Sequence, residues 1–244
     1  MSNLLTAIIL GLWSGVSMML ALSGIGIRTA LVSGLIAGLC VGDPLLGINV
    51  GGTCLLMSIG YYTYGGATTP DYITGSMFGT VVAKSAGLDA GLAVATTLAL
   101  LMSQMDILGR STTTVFQHLA DKALAQNNIK KFEMWTIMGC IPWILARFIP
   151  VFLGMLMIDH VVDLANFANS VDWIARGLKV VGKALPAVGF ALLLSYMDIK
   201  KYWPFLVLGF VLYAYMGVGT IGLALVGLAA GALFTGTGRV GGAE

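Results

Sequence analysis

The chain has 244 residues, of which 58% are hydrophobic and 10% charged, with a formal net charge of +2. A soluble globular domain is nearer one quarter charged, so this composition excludes an ordinary soluble fold. The basic excess is small and forms no stripe along the sequence, which argues against a nucleic-acid partner.

Leu4–Leu22, Trp135–Met157 and Phe205–Leu233 are apolar runs with almost no charge. About 20 such residues, as a helix, cross a hydrocarbon core about 30 Å thick. Only helices and closed barrels satisfy their backbone in lipid. Barrel strands alternate in hydrophobicity and these runs do not, so the expected fold is an all-α integral membrane protein. The N-terminus has neither a basic start nor a small-residue cleavage site, so Leu4–Leu22 is expected to persist as a membrane helix.

Ala30–Val41 is a short apolar segment ended by Asp43-Pro44. A glycine-rich stretch follows from Gly47 to Gly66, closing on Thr68-Thr69-Pro70-Asp71. Ile73–Ala83 and Ala90–Met102 are two more short apolar pieces. Short, glycine-interrupted segments in one half of a membrane protein predict broken or re-entrant helices, because irregular backbone at that depth is tolerated only beside a cavity or inside protein. Asp106 to Glu133 is more polar. Phe116, Leu119, Ala120 and Ala123 fall on one helical face, with Ser111, Thr112 and Thr113 offering N-caps. An amphipathic helix at the membrane surface is expected there. Arg110, Lys122, Lys130 and Lys131 place this region in the cytoplasm by the positive-inside rule.

Trp135–Met157 is long enough to span, bent by Pro142 and Pro150, and it carries Arg147. Val161, Leu164, Ala168, Val171, Ala175 and Leu178 predict a second amphipathic stripe. Ala184–Met197, Tyr202–Met216 and Gly219–Phe234 complete a multi-helix bundle, before a polar tail. GxxxG pairs at Gly11/Gly15, Gly34/Gly38/Gly42, Gly47/Gly51, Gly75/Gly79 and Gly227/Gly231 predict close helix contacts.

Motifs of soluble enzymes do not hold up. Gly177 to Ala184 resembles a phosphate-binding loop, but Ala184 stands where magnesium needs Ser or Thr, and no strand precedes it. Two G-x-G-x-x-G matches, Gly217–Gly222 and Gly236–Gly241, have no βαβ unit around them. Cys40, Cys54 and Cys140 lack metal-ligand spacing and read as small buried residues. His118 and His160 have no ligand set, so no metal, cofactor or catalytic residue is expected. Ionisable groups at membrane depth are costly and mark function by default. Of the five charges before residue 106, Arg28 and Asp71 flank the glycine-rich stretch and are candidates to line a cavity.

Gly42-Asp43-Pro44-Leu45-Leu46-Gly47-Ile48-Asn49-Val50-Gly51-Gly52-Thr53, followed by Gly60 and by Gly65 through Pro70-Asp71, resembles component IIC of the mannose/sorbose-type phosphotransferase system, a bacterial sugar transporter family. Phe116-Gln117-His118 with Ala120-Asp121-Lys122-Ala123 resembles a second family segment, with Gln104 and Arg110 fitting just before it. Trp203-Pro204-Phe205 with Leu208-Gly209-Phe210-Val211 resembles a third. The chain departs from the family pattern at Ile27-Arg28-Thr29, in place of His-Arg-Pro. It departs again at Leu55, in place of an acidic residue, and at Thr63, in place of asparagine.

The resemblance implies one permease domain over residues 1–244: a glycine-rich substrate-site half to about 105, the amphipathic region 106–134, C-terminal helices 135–234 and a tail. It implies a multi-pass protein of the bacterial inner membrane. A membrane partner, IID, would carry a hexose or related sugar together with it, in trimers of IIC–IID pairs. Soluble IIA and IIB would bring phosphate from phosphoenolpyruvate, with no phospho-histidine on this chain. Thr53, Ser58, Thr63, Thr68, Thr69, Asp71, Gln104 and Arg28 are the expected sugar partners, and Tyr61, Tyr62 and Tyr64 the expected stacking groups. The competing readings are a substrate-binding subunit of an ATPase-driven transporter and an intramembrane enzyme. The second would need a nucleophile, base or metal set that does not assemble here.

Overall fold

The computed structural model describes residues 3–22, 26–61 and 68–240, and among these there is no strand. Thr63, Tyr62, Tyr64 and the Gly65-Gly66 pair lie outside the described residues. Contacts divide the chain into two units, Met1–Leu193 and Leu194–Glu244.

In the first unit, α1 (Asn3–Leu22) precedes two short helices, α2 (Ala30–Val41) and α3 (Pro44–Ser58). Thr29 caps α2 by accepting the Val32 N–H, and Gly42 ends it in the left-handed region at φ 75°. Asp43 then caps α3 through the Leu46 N–H, with Pro44 in the first helical turn, where its missing N–H costs nothing. The Asp43 carboxylate also pairs with Lys84, 3.4 Å away.

At 12 and 15 residues, α2 and α3 reach only about 18 and 22 Å, short of the bilayer core. They fold back on each other as an antiparallel hairpin. A Cβ on Gly34 would overlap the Gly47 carbonyl, and one on Gly38 would sit 2.9 Å from the Gly47 Cα. The glycines from Gly47 to Gly52 therefore do not break the backbone. The sequence reading expected irregular structure from Gly47 onward, but α3 is helical to Ser58, and glycine serves there to bring two helix axes together.

The same device recurs. Gly75 and Gly79 of α4 (Tyr72–Ala86) press on Gly91, Ala95 and Ala99 of α5 (Leu88–Ala125). Gly11 and Gly15 of α1 receive Phe148 and Ile144 of α7 (Cys140–Leu156). A Cβ added at Gly227 or Gly231 would meet nothing within 4 Å among the described residues, so no close helix approach there calls for glycine.

Helix α5 joins what the sequence reading had separated, the segment Ala90–Met102 and the surface helix beyond 106, into one 38-residue helix. Ser111, Thr112, Thr113 and Thr114 do not cap a new helix. Their hydroxyls donate to carbonyls three or four residues back, which satisfies them without ending the helix. The expected apolar face is present: Ala120 and Ala123 are buried, and the Phe116 ring lies 6.2 Å from that of Trp135 of α6 (Ile129–Met138), tilted by 50°. The span expected at Trp135–Met157 runs from Ile129 to Leu156 and is interrupted at Gly139.

Helix α8 (Ile158–Ser170) buries Ile158 and Ala165, while Leu164 is 68% exposed. The predicted stripe through Leu164 is thus off by part of a turn, and the chain breaks before α9 (Asp172–Tyr196). Asn169 of α8 donates to the Ala86 carbonyl at 2.6 Å, satisfying the end of α4. The second unit pairs α10 (Ile199–Ala214) with α11 (Thr220–Val240) across a turn where Gly217 has φ 65°.

Candidate functional site

Helix α3 ends at Ser58 and α4 begins at Tyr72. Residues at these two ends line one side of a cavity of about 460 Å³, within the range of small-molecule sites. Leu55, Ser58 and Tyr61 reach it from the end of α3, and Thr69, Pro70 and Asp71 from the entry to α4. Arg28 comes from the α1–α2 connection, Asp106 and Arg110 from α5, and Trp143 and Arg147 from α7. Tyr61 lies 6.2 Å from the Tyr72 ring at a tilt of 41°. One side of the cavity is therefore aromatic.

Asp71 is placed by the sequence around it. It caps α4, accepting from the Thr74 hydroxyl at 2.6 Å and facing the Thr74 N–H at 3.5 Å, while its own N–H donates to the Ala99 carbonyl of α5 at 2.9 Å. Its carboxylate also forms an ion pair with Nη1 of Arg147. Nη2 of Arg147 lies 3.4 Å from Asp106, which in turn pairs with Arg110 one helical turn on. The indole N–H of Trp143 donates to Asp106 at 3.1 Å. The side chains of Asp71, Arg147 and Asp106 are only 4–6% exposed. Charges this deep persist only when paired and hydrogen-bonded. The chain Asp71–Arg147–Asp106–Arg110 meets that condition by linking α4, α7 and α5.

Of the predicted contacts, the structure brings Arg28, Ser58 and Asp71 into this one cavity, with Tyr61 and Thr69 beside them. Thr53 does not line it; its hydroxyl donates to the Asn49 carbonyl at 2.8 Å. Gln104 faces outward on α5 and is also absent from the lining. Thr63 lies outside the described residues. Asp106, Arg110, Trp143 and Arg147 were not read as site residues. The signal for Arg147 was present, a lone arginine in the middle of an apolar span. Its partners come from two other helices, and no local pattern marks them.

Gly177–Ala184 lies within α9 and forms no loop. His118 and His160 are exposed, and no group of three potential metal ligands occurs among the described residues. The cleft between α10 and α11, about 480 Å³, is lined by Phe205, Leu208, Leu223 and Val226. It offers few polar groups to orient a polyol.

Apolar helices, a glycine-packed hairpin and a deep cavity lined by polar and charged groups define a helical membrane permease component. The chain belongs to the family of sorbose-specific IIC components of the phosphotransferase system, whose model matches residues 4–233. It is 32% identical over 206 residues to the fructose permease IIC component of Bacillus subtilis (strain 168), covering 84% of this chain and 76% of that one. Its fold matches a solved membrane protein at a TM-score of 0.82, with 24% identity and 95% of both chains covered. It also matches a chain of the cryo-EM structure of the mannose transporter ManYZ with microcin E492, at a TM-score of 0.59 and 24% identity, covering 95% and 94%.

Proposed function

We propose that this chain carries a sugar through the bacterial inner membrane as the IIC subunit of a phosphoenolpyruvate-dependent system, and that the sugar sits in the cavity between the end of α3 and the start of α4. The observation that carries this reading is the cavity itself, which sets Arg28, Ser58, Thr69 and Asp71 beside Tyr61 at the heart of an apolar bundle. Hydroxyl-rich ligands need such spaced donors and acceptors, and an aromatic wall suits the apolar face of a sugar ring. A IID-type membrane partner completes the path. Soluble IIA and IIB carriers deliver the phosphoryl group, and the assembly is a trimer of IIC–IID pairs. This chain supplies recognition and passage and is not itself phosphorylated.

The test is uptake of labelled sugars by cells that lack their own mannose-type systems and express this chain with its membrane partner and soluble carriers. The expected result is one sugar recovered inside as its phosphate, with uptake lost when either membrane subunit is omitted. Uptake driven by ATP hydrolysis, with no sugar phosphate formed, would assign the chain to an ATPase-driven importer instead.

A further inference from the structure

The cavity holds three guanidinium groups, Arg28, Arg110 and Arg147, against two carboxylates, Asp71 and Asp106. One positive charge is in excess. The two carboxylates are already engaged: Asp71 by Arg147 and Thr74, Asp106 by Arg147, Arg110 and Trp143. Arg28 takes no part in those pairs. Its hydrogen-bonding contact among the described side chains is a thioether, the Met18 sulfur 3.8 Å from Nη2, and its buried Nε, like that of Arg147, has no hydrogen-bond partner among the described residues. The two internal segments outside the described residues, 23–25 and 62–67, contain no Asp or Glu that could serve it. The residues that α3 turns toward the cavity, Leu55 and Ser58, are uncharged, and the Ser58 hydroxyl, whose proton goes to the Leu55 carbonyl at 2.8 Å, offers the cavity only neutral acceptor lone pairs. The site is thus rich in cationic donors, and both of its carboxylates are already taken.

We propose that the sugar this cavity takes bears a carboxylate, as a hexuronate or hexonate does, and that Arg28 binds it. The inference rests on the permease reading above and narrows its substrate class. Asp71 and Asp106 attract Arg28 only from beyond ion-pair distance, and an arginine with no carboxylate in direct contact is costly at membrane depth. Its planar fork of donors matches a carboxylate in two parallel hydrogen bonds. A neutral hexose would offer Arg28 only hydroxyl acceptors and would leave the excess charge in place.

The experiment uses this chain in complex with its membrane partner, in nanodiscs of zwitterionic lipid. Neutral hexoses, the hexuronate and hexonate of each, the hexose 6-phosphates and inorganic phosphate are titrated by calorimetry. One hexuronate or hexonate is expected to bind at least about tenfold tighter than its neutral parent, the factor that 1.4 kcal/mol supplies. Arg28→Gln should collapse that ratio toward one, and Arg28→Lys should retain part of it. Leu55→Glu, which places a carboxylate in the same cavity, should turn the preference toward the neutral sugar, and this variant decides the matter if Arg28→Gln does not assemble. A wild-type complex that binds neutral hexoses as well as or better than their acids overturns the proposal and leaves the permease reading standing. Tighter binding of phosphate or hexose phosphate than of any carboxylate also overturns it. A complex that binds no sugar of either kind overturns both.

Discussion

Asp71 and Arg147 stand 76 positions apart in the chain and meet as an ion pair, both side chains almost wholly buried. The pair fastens the start of α4 to the middle of α7, and through Asp106 it also engages α5. Removing one partner of a buried pair leaves an uncompensated charge, which costs about 3–5 kcal/mol. Arg147→Met should therefore destabilise the bundle by that order. Asp71→Asn should cost less, because Asp106 still faces Arg147. The combined variant should fall well short of the sum, since residues in one network are not additive. Denaturant melts of the four proteins in one detergent check this, and strictly additive losses would mean that the two residues are energetically independent.

The α2–α3 hairpin gives a sharp contrast between neighbouring glycines. A Cβ at Gly47 would overlap the Gly34 backbone, whereas one at Gly52 would meet only Leu31 Cδ1, at 3.8 Å. Gly47→Ala should lower stability by about 1–3 kcal/mol through forced separation of the helices. Gly52→Ala should be neutral or stabilising by up to about 1 kcal/mol, from helix propensity alone. Thermal melting in detergent separates the two, and equal melting temperatures would refute the seam.

Sugar affinity should follow the cavity lining. Ser58→Ala should weaken binding by about 0.5–1.5 kcal/mol, the usual worth of one hydrogen bond and at most roughly tenfold in affinity. Thr53→Ala and Gln104→Ala should leave affinity unchanged, because neither side chain lines the cavity. Calorimetry on intact complex is the measurement, and a Thr53 effect as large as that of Ser58 would move the sugar along α3.

His118 sits on the outward face of α5. His118→Ala should retain phosphoenolpyruvate-dependent sugar phosphorylation to within about twofold. Loss of phosphorylation by a variant that still assembles would place a phosphoryl step on this chain.

Hydropathy and spacing carried the helical membrane class, the extent of α2 and the Asp43-Pro44 turn, because each rests on local chemistry that a linear pattern records. The glycine stretch misled for a physical reason. Glycine serves both to break a helix and to let two helices touch, and only the partner distinguishes the cases; for Gly47 the partners Gly38 and Gly34 lie on another helix, across the Asp43-Pro44 turn. The site was half legible. Arg28, Ser58 and Asp71 stand just outside the ends of α2, α3 and α4 or at them, so the element boundaries read from the sequence pointed to these cavity-lining positions. Asp106 joins through tertiary contacts with Arg147 and Trp143 of α7, and the Ser-Thr run after Arg110 disguised the continuity of α5 as a helix start.

That continuity has a mechanical side. At about 57 Å, α5 is far longer than the bilayer is thick, and no proline interrupts it. Asp106 lies near its midpoint, and Gln117, His118, Asp121 and Lys122 stand outward beyond it. One unbroken hydrogen-bonded helix therefore runs from the outward polar turns to Asp106, which is tied to Arg147 and through it to Asp71. The outer end of α5 and the cavity are parts of a single element.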